Sequence, residues 1–186
     1  MTYKILLSGF GGQGVLALGK MYAQAASACD YNVTSMPFYE GSMRGGAANT
    51  YLIISDERIK CPVISKGTAD MVVAMYQRAV NEYGDYCKES GITIINSDMV
   101  TEYPETLTGK AVRIPMTSLA QSLNNERSAN LIMMGAMAAC ADVVPLYALK
   151  DIIKKQFEKK GPALVETNIK AFETGFEYVE KELANG

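Results

Sequence analysis

Tyr3 to Ser8 (YKILLS) is a short apolar run that ends at glycines, the pattern of a buried parallel strand. Gly9 to Gly14 (GFGGQG) is a tight loop, and Val15 to Cys29 then carries Leu16, Met21, Ala25 and Ala28 among good helix formers. Strand, glycine loop and helix in that order open a nucleotide-binding type of α/β fold. Asn32 to Met36 reads as a second strand, Pro37 to Gly46 as a loop without apolar period, and Ala47 to Ser55 as a third strand. Cys61 to Ser65 reads as a short strand whose Pro62 suits a strand start or sheet edge. Met71 to Met75, Gly91 to Asn96 and Ala111 to Pro115 complete the strands, with a helix over Tyr76 to Tyr86.

The last third is helical. Ala129 to Ala141 is apolar all round, which marks a helix buried on most sides. Pro145 fits a first helical turn, and Lys154, Lys155, Lys159 and Lys160 favour the far end of that helix. Gly161-Pro162 breaks the chain before a final helix. Its Val165, Ile169, Phe172, Phe176, Val179 and Leu183 form one narrow stripe to be buried against the sheet or a partner. The fold class is α/β: a Rossmann-like three-layer fold with a mostly parallel sheet and a helical C-terminal third. No repeat or linker interrupts the chain, so residues 1–186 read as one domain.

Composition narrows the chemistry more than it names it. A formal net charge of −2 gives no general attraction to nucleic acid or an anionic membrane. MTYKILLSGFGGQG does not read as a signal peptide, and the uncharged stretch from Ser128 to Ala141 is too short to span a bilayer. There is no histidine, so the commonest general base and zinc ligand is missing. Cys29, Cys61, Cys87 and Cys140 show no C-x-x-C spacing, so local sequence supports neither a zinc site nor an iron–sulfur cluster. They read as reduced thiols of a cytoplasmic protein. Met133, Met134 and Met137 read as core filler, and the 11 tyrosines as polar-tipped surface at a subunit boundary. No nucleophile elbow, zinc-protease helix or P-loop occurs, and no residue is assigned a catalytic role.

Two segments carry candidate chemistry. Gly9, Gly11, Gly12 and Gly14 match G-x-G-G-x-G, one residue shorter than the dinucleotide fingerprint. Such glycines present backbone N–H groups and a helix N-terminus to an anion, or simply make a tight turn. The second strand ends Val33-Thr34-Ser35-Met36, without the acid that holds a ribose, which counts against NAD. In Ser42-Met43-Arg44-Gly45-Gly46 an arginine stands beside exposed backbone, suited to a phosphate or carboxylate or to structural bonds with carbonyls. Both segments follow strands one and two of a presumed parallel sheet, so they are expected side by side at one edge.

The opening ILLSGFGGQGV at 5–15, SMRGGAANT at 42–50, IISDE at 53–57 and the Asn130…Gly135 spacing together resemble the gamma subunit of 2-oxoacid:ferredoxin oxidoreductases. The likeness runs from Tyr3 to about Leu183, a single gamma-type domain of the pyruvate/ketoisovalerate oxidoreductase kind. The resemblance implies a complex that decarboxylates a 2-oxoacid on thiamine diphosphate. It passes electrons through iron–sulfur clusters to ferredoxin and transfers the acyl group to coenzyme A. Thiamine diphosphate and the clusters belong to alpha, beta and possibly delta subunits, and this chain alone binds no cofactor. The gamma subunit shapes the coenzyme A region. The implied cofactor-binding residues here are Gly9, Gly11, Gly12, Gln13, Gly14, Met43, Arg44, Gly45 and Gly46. The indolepyruvate branch typically has A-Q-R-G-G, so Ser42-Met43-Arg44-Gly45-Gly46 points to the 2-oxoglutarate, branched-chain or pyruvate branches, with 2-oxoglutarate favoured. The family more often has P-S-Y-G-x-E-M-R-G-G; Pro37-Phe38-Tyr39-Glu40-Gly41-Ser42 moves the acidic residue. A stand-alone nucleotide-binding protein and a ligand-free structural adaptor are the competing readings. An isolated gamma-type chain is expected to expose apolar surface and to form a homodimer.

Overall fold

A computed structural model describes residues 1–39 and 46–185. Met43, Arg44 and Gly45 therefore lie outside the described residues, as do Glu40, Gly41, Ser42 and Gly186. The strands are β1 (Thr2–Phe10), β2 (Asn32–Tyr39), β3 (Ala47–Ser55), β4 (Ala69–Ala74), β5 (Cys87–Asn96) and β6 (Lys110–Ile114). The helices are α1 (Val15–Ser27), α2 (Gln77–Tyr83), α3 (Met116–Ser122), α4 (Ala129–Cys140), α5 (Leu146–Phe157) and α6 (Pro162–Asn185).

The strands form one sheet in the order β2-β3-β1-β4-β5-β6. β1, β4, β5 and β6 are mutually parallel. β3 runs antiparallel to both of its neighbours, so β2 points the same way as β1. The sheet is mostly parallel, as expected, but strands one and two are not adjacent. They are separated by β3, which returns from β2 as a hairpin partner. Direction was not legible in β3 because it is buried along nearly its whole length, and such a run looks alike in either orientation.

Three other expectations are corrected. Cys61 to Ser65 forms no strand; it is an irregular stretch whose Ile64 is buried against the sheet. Pro37, Phe38 and Tyr39 belong to β2 rather than to a loop, paired with Thr50, Asn49 and Ala48. This is an edge strand, where proline is tolerated. A short helix, α3, follows β6 without having been read from the sequence. Asp98 holds its start: Oδ2 accepts from the amides of Thr117 and Ser118 at 2.8 Å each.

The two sheet faces are unequal. Ile5, Leu7, Leu52, Ile54, Val73, Ile94 and Ile114 face a large core under α1, α3, α4, α5 and α6. The opposite face carries Leu6, Ile53, Val72 and Ile95 beneath α2 and the irregular stretches 57–68 and 97–109. Gly19 seats α1 close to the sheet, because a Cβ there would stand 3.1 Å from side-chain atoms of both Leu7 and Thr50. α4 is buried from Leu131 to Ala138, including Met133, Met134 and Met137, as its all-round apolar pattern requires. Each such large side chain contributes about 1.5–3 kcal/mol of gross burial energy. The α6 stripe buries Phe172 and Val179 and half-buries Ile169, Phe176 and Leu183, with α4 as its main neighbour.

Candidate functional site

The C-terminal ends of β1, β4 and β5 meet the start of α1 at one edge of the sheet. In such sheets this edge is where ligands bind. Gly9 must be glycine, since an added Cβ would lie 2.3 Å from Cγ2 of Val15. Gly12 (φ +103) and Gly14 (φ +77) hold the loop in the left-handed region. Gly14 is the N-cap of α1, and its carbonyl accepts from the Leu18 amide at 2.9 Å. Among the described residues no side chain caps this N-terminus, and no acid stands in the first turn. The first turn therefore supplies no carboxylate to the positive end of the helix dipole.

Gln13 serves the loop itself. Its Oε1 accepts from the Phe10 amide at 3.0 Å and its Nε2 donates to the Met75 carbonyl at 3.0 Å. The Met75 carbonyl also accepts from Nδ2 of Asn96 at 3.2 Å. One carbonyl thus ties the ends of β1, β4 and β5 together.

A second helix start arrives from far along the chain. Asn130, in the first turn of α4, reaches the Gly14 carbonyl with Nδ2 at 3.5 Å. A Cβ on Gly14 would stand 2.8 Å from that Nδ2. The N-termini of α1 and α4 therefore converge on the glycine loop.

The two sequence segments do come together at their described ends. The Gly11 amide donates to the Gly46 carbonyl at 3.2 Å. Gly11 and Gly12 are exposed. Phe10 meets Tyr76 edge-on, with ring centroids 5.7 Å apart. Nδ2 of Asn49 donates to the Tyr83 hydroxyl at 3.2 Å. Ser8 Oγ and Asn49 Oδ1 are buried without a hydrogen-bond partner among the described residues.

Sequence reasoning found the glycines and missed Asn49, Asn96 and the carbonyl of Met75. A short polar residue closing an apolar strand, as Asn96 does after Ile94-Ile95, was the available signal. Asn130 was noted in the sequence for its spacing to Gly135, and the structure gives it a contact.

The rest of the chemistry is sparse. Among the described residues no group of three or more His, Cys, Asp or Glu is placed to hold a metal ion. All four cysteines are free thiols. Burial raises the Cys87 thiol and pushes that of Cys140 up to about 12. Among the described residues no helix is long and apolar enough to cross a membrane.

A mostly parallel α/β chain whose glycine-lined edge gathers two helix N-termini defines a Rossmann-like class of protein, without a metal-ligand set among the described residues. The chain matches the family described as pyruvate ferredoxin/flavodoxin oxidoreductase over residues 4–178 and belongs to that family. Within it, the relatives include subunits of 2-oxoacid:ferredoxin oxidoreductases, a gamma subunit among the solved structures. It is 32% identical to the 2-oxoglutarate synthase subunit KorC of Methanocaldococcus jannaschii over 186 residues, covering 98% of this chain and 96% of that protein. Among solved structures it resembles the gamma subunit of the keto/oxoacid ferredoxin oxidoreductase of Geobacter sulfurreducens. That match has 33% identity and a TM-score of 0.79, covering 98% of this chain and 99% of the other. It shares a fold with 31% of the chain of 2-oxoglutarate:ferredoxin oxidoreductase from Magnetococcus marinus, at 23% identity and a TM-score of 0.86 over 97% of this chain. Membership selects the subunit reading over a stand-alone nucleotide-binding protein.

Proposed function

We propose that this chain, acting as a single domain, is the gamma subunit of a cytoplasmic 2-oxoglutarate:ferredoxin oxidoreductase, and that its glycine edge binds an anionic end of coenzyme A. Alpha and beta subunits, with or without delta, carry thiamine diphosphate and the iron–sulfur clusters and pass electrons to ferredoxin. Coenzyme A supplies the thiol that takes the acyl group. The 2-oxoglutarate preference rests on KorC as a full-length relative. It is supported by the Magnetococcus marinus enzyme, whose structure holds 2-oxoglutarate, coenzyme A and succinyl-CoA.

The observation that supports the coenzyme A assignment is the Gly11–Gly46 bond of 3.2 Å, which sets the glycine loop against Gly46, two residues after Arg44 in sequence. Exposed backbone at Gly11 and Gly12 and the uncapped start of α1 fit a phosphate. Arg44, two residues before Gly46 in sequence, supplies a full charge to the same anion.

The test is Arg44→Ala in the assembled enzyme. Loss of one charge-assisted contact of about 1.5–3 kcal/mol weakens apparent coenzyme A affinity roughly ten- to hundredfold while assembly is retained. Failure to assemble with a normally folded lone chain makes Arg44 an interface residue instead. An unfolded lone chain makes it structural.

A further inference from the structure

The outer side of α1 and the edge strand β2 enclose a groove of about 520 Å³ that the glycine loop does not use. Leu16, Lys20 and Ala23 line it from the helix, and Val33, Pro37 and Thr50 from the sheet. Three features set it apart from ordinary surface. First, α1 (VLALGKMYAQAAS) carries a single charged residue, Lys20, although Ala17, Lys20, Gln24 and Ser27 are exposed. The exposed helices α5 and α6 are densely charged by contrast. A solvated helix face normally carries several charges, and a face meant to be covered is depleted of them. Second, Thr50 Oγ1 is buried against the groove without a hydrogen-bond partner among the described residues. Third, β2 ends the sheet, so nothing within the sheet covers its outer edge.

We propose that this groove receives a helix of another subunit of the oxidoreductase, one that brings small or apolar side chains and a carboxylate for Lys20. The chemistry selects this occupant over two others. An added β-strand is disfavoured because Pro37 lacks the N–H that a ladder along β2 needs. A second copy of this chain is disfavoured by charge. A two-fold contact sets one patch against its own copy, and the described lining holds Lys20 with no carboxylate to answer it. The acid must come from a different chain. The proposal rests on the reading that the chain works inside a multi-subunit enzyme, but it concerns one surface, so the two fail separately.

The experiment uses the full complex. Lys20→Glu and, separately, Ser27→Arg are introduced into this chain and co-expressed with the alpha and beta subunits. Both sites are exposed, and a thermal melt of each lone variant checks folding. Lys20→Glu weakens retention of this chain by about tenfold or more, as expected for reversing a covered charge, and Lys20→Arg restores it. Ser27→Arg, which crowds the groove, weakens it too. In the wild-type complex, zero-length carbodiimide coupling joins Lys20 to an Asp or Glu of another subunit. Wild-type retention by both Lys20→Glu and Ser27→Arg overturns the proposal while leaving subunit membership intact. So does coupling of Lys20 only to a second copy of this chain. Failure of the wild-type chain to assemble at all contradicts the subunit reading itself.

Discussion

Gly135 of α4 and Gly175 of α6 form a reciprocal contact across the helix crossing. A Cβ on Gly135 would lie 1.9 Å from the Phe172 carbonyl oxygen, and a Cβ on Gly175 would lie 1.9 Å from that of Ile132. Each glycine thus meets the residue three positions before the other. Neither obstruction is a movable side chain, so the helices must separate to admit a methyl group. Gly135→Ala and Gly175→Ala are each expected to cost about 1–3 kcal/mol or more, the range for overpacking a filled core. Their effects are less than additive, because either one already opens the crossing. Chemical denaturation of the lone chain measures this. Full additivity would mean that the two glycines act independently.

Gln13 gives a second expectation. Its amide must donate to Met75 and its oxygen must accept from Phe10. Gln13→Glu keeps the acceptor, loses the donor and adds a negative charge beside the proposed anion site. The lone chain should lose about 1 kcal/mol, since Asn96 still serves the Met75 carbonyl. The assembled enzyme should lose more in coenzyme A affinity than in stability. An equal effect of Gln13→Leu on affinity would remove charge from the explanation.

The sequence made this glycine edge legible only in part. The glycines declare themselves because backbone conformation is written locally. The roles of Gln13 and Asn130 are not, since their partners Met75 and Gly14 lie 62 and 116 residues away. The same split holds for the fold. The stripe on α6 and the uniform apolarity of α4 could be read directly, because helical burial leaves a period. The antiparallel course of β3 leaves none in a strand buried on both faces. Cys61 to Ser65 resembled a strand because it is short and apolar, yet only Ile64 packs on the sheet, from irregular backbone, while Cys61 and Val63 are exposed.

Alkaline pH tests the buried groups. Burial raises Cys140 from 9.0 to about 12, and it also raises the fully buried Tyr22 hydroxyl. Between the unfolded and folded values the native state keeps a proton that the unfolded state has released. The stability contributed by Cys140 is therefore complete below pH 9.0 and falls as pH rises towards about 12, whereas that of Tyr22 begins to fall only above pH 10.0. Cys140→Ala should flatten the first part of that decline. A maleimide should label exposed Cys61 first and buried Cys87 last, with half-buried Cys140 slowed by its raised pKa. Equal labelling rates of Cys61 and Cys87 in the native chain would contradict the burial of Cys87.

Away from α1, the β2–β3 face presents Phe38 and Tyr51 with ring centroids 4.8 Å apart, both only half-buried. Uncovered aromatic surface of this kind favours association. The lone chain should self-associate in sedimentation, and Phe38→Glu should shift it towards monomer. A wild-type chain that stays monomeric at high concentration would count against this.

Reconstitution tests the central claim most directly. Ferredoxin reduction is followed with 2-oxoglutarate and coenzyme A, using the alpha and beta subunits with and without this chain, and this chain alone. The account predicts coenzyme A-dependent turnover only when the chain completes the complex, and none from the chain by itself. Turnover by the isolated chain, or undiminished turnover by the complex without it, would contradict its assignment as a working gamma subunit.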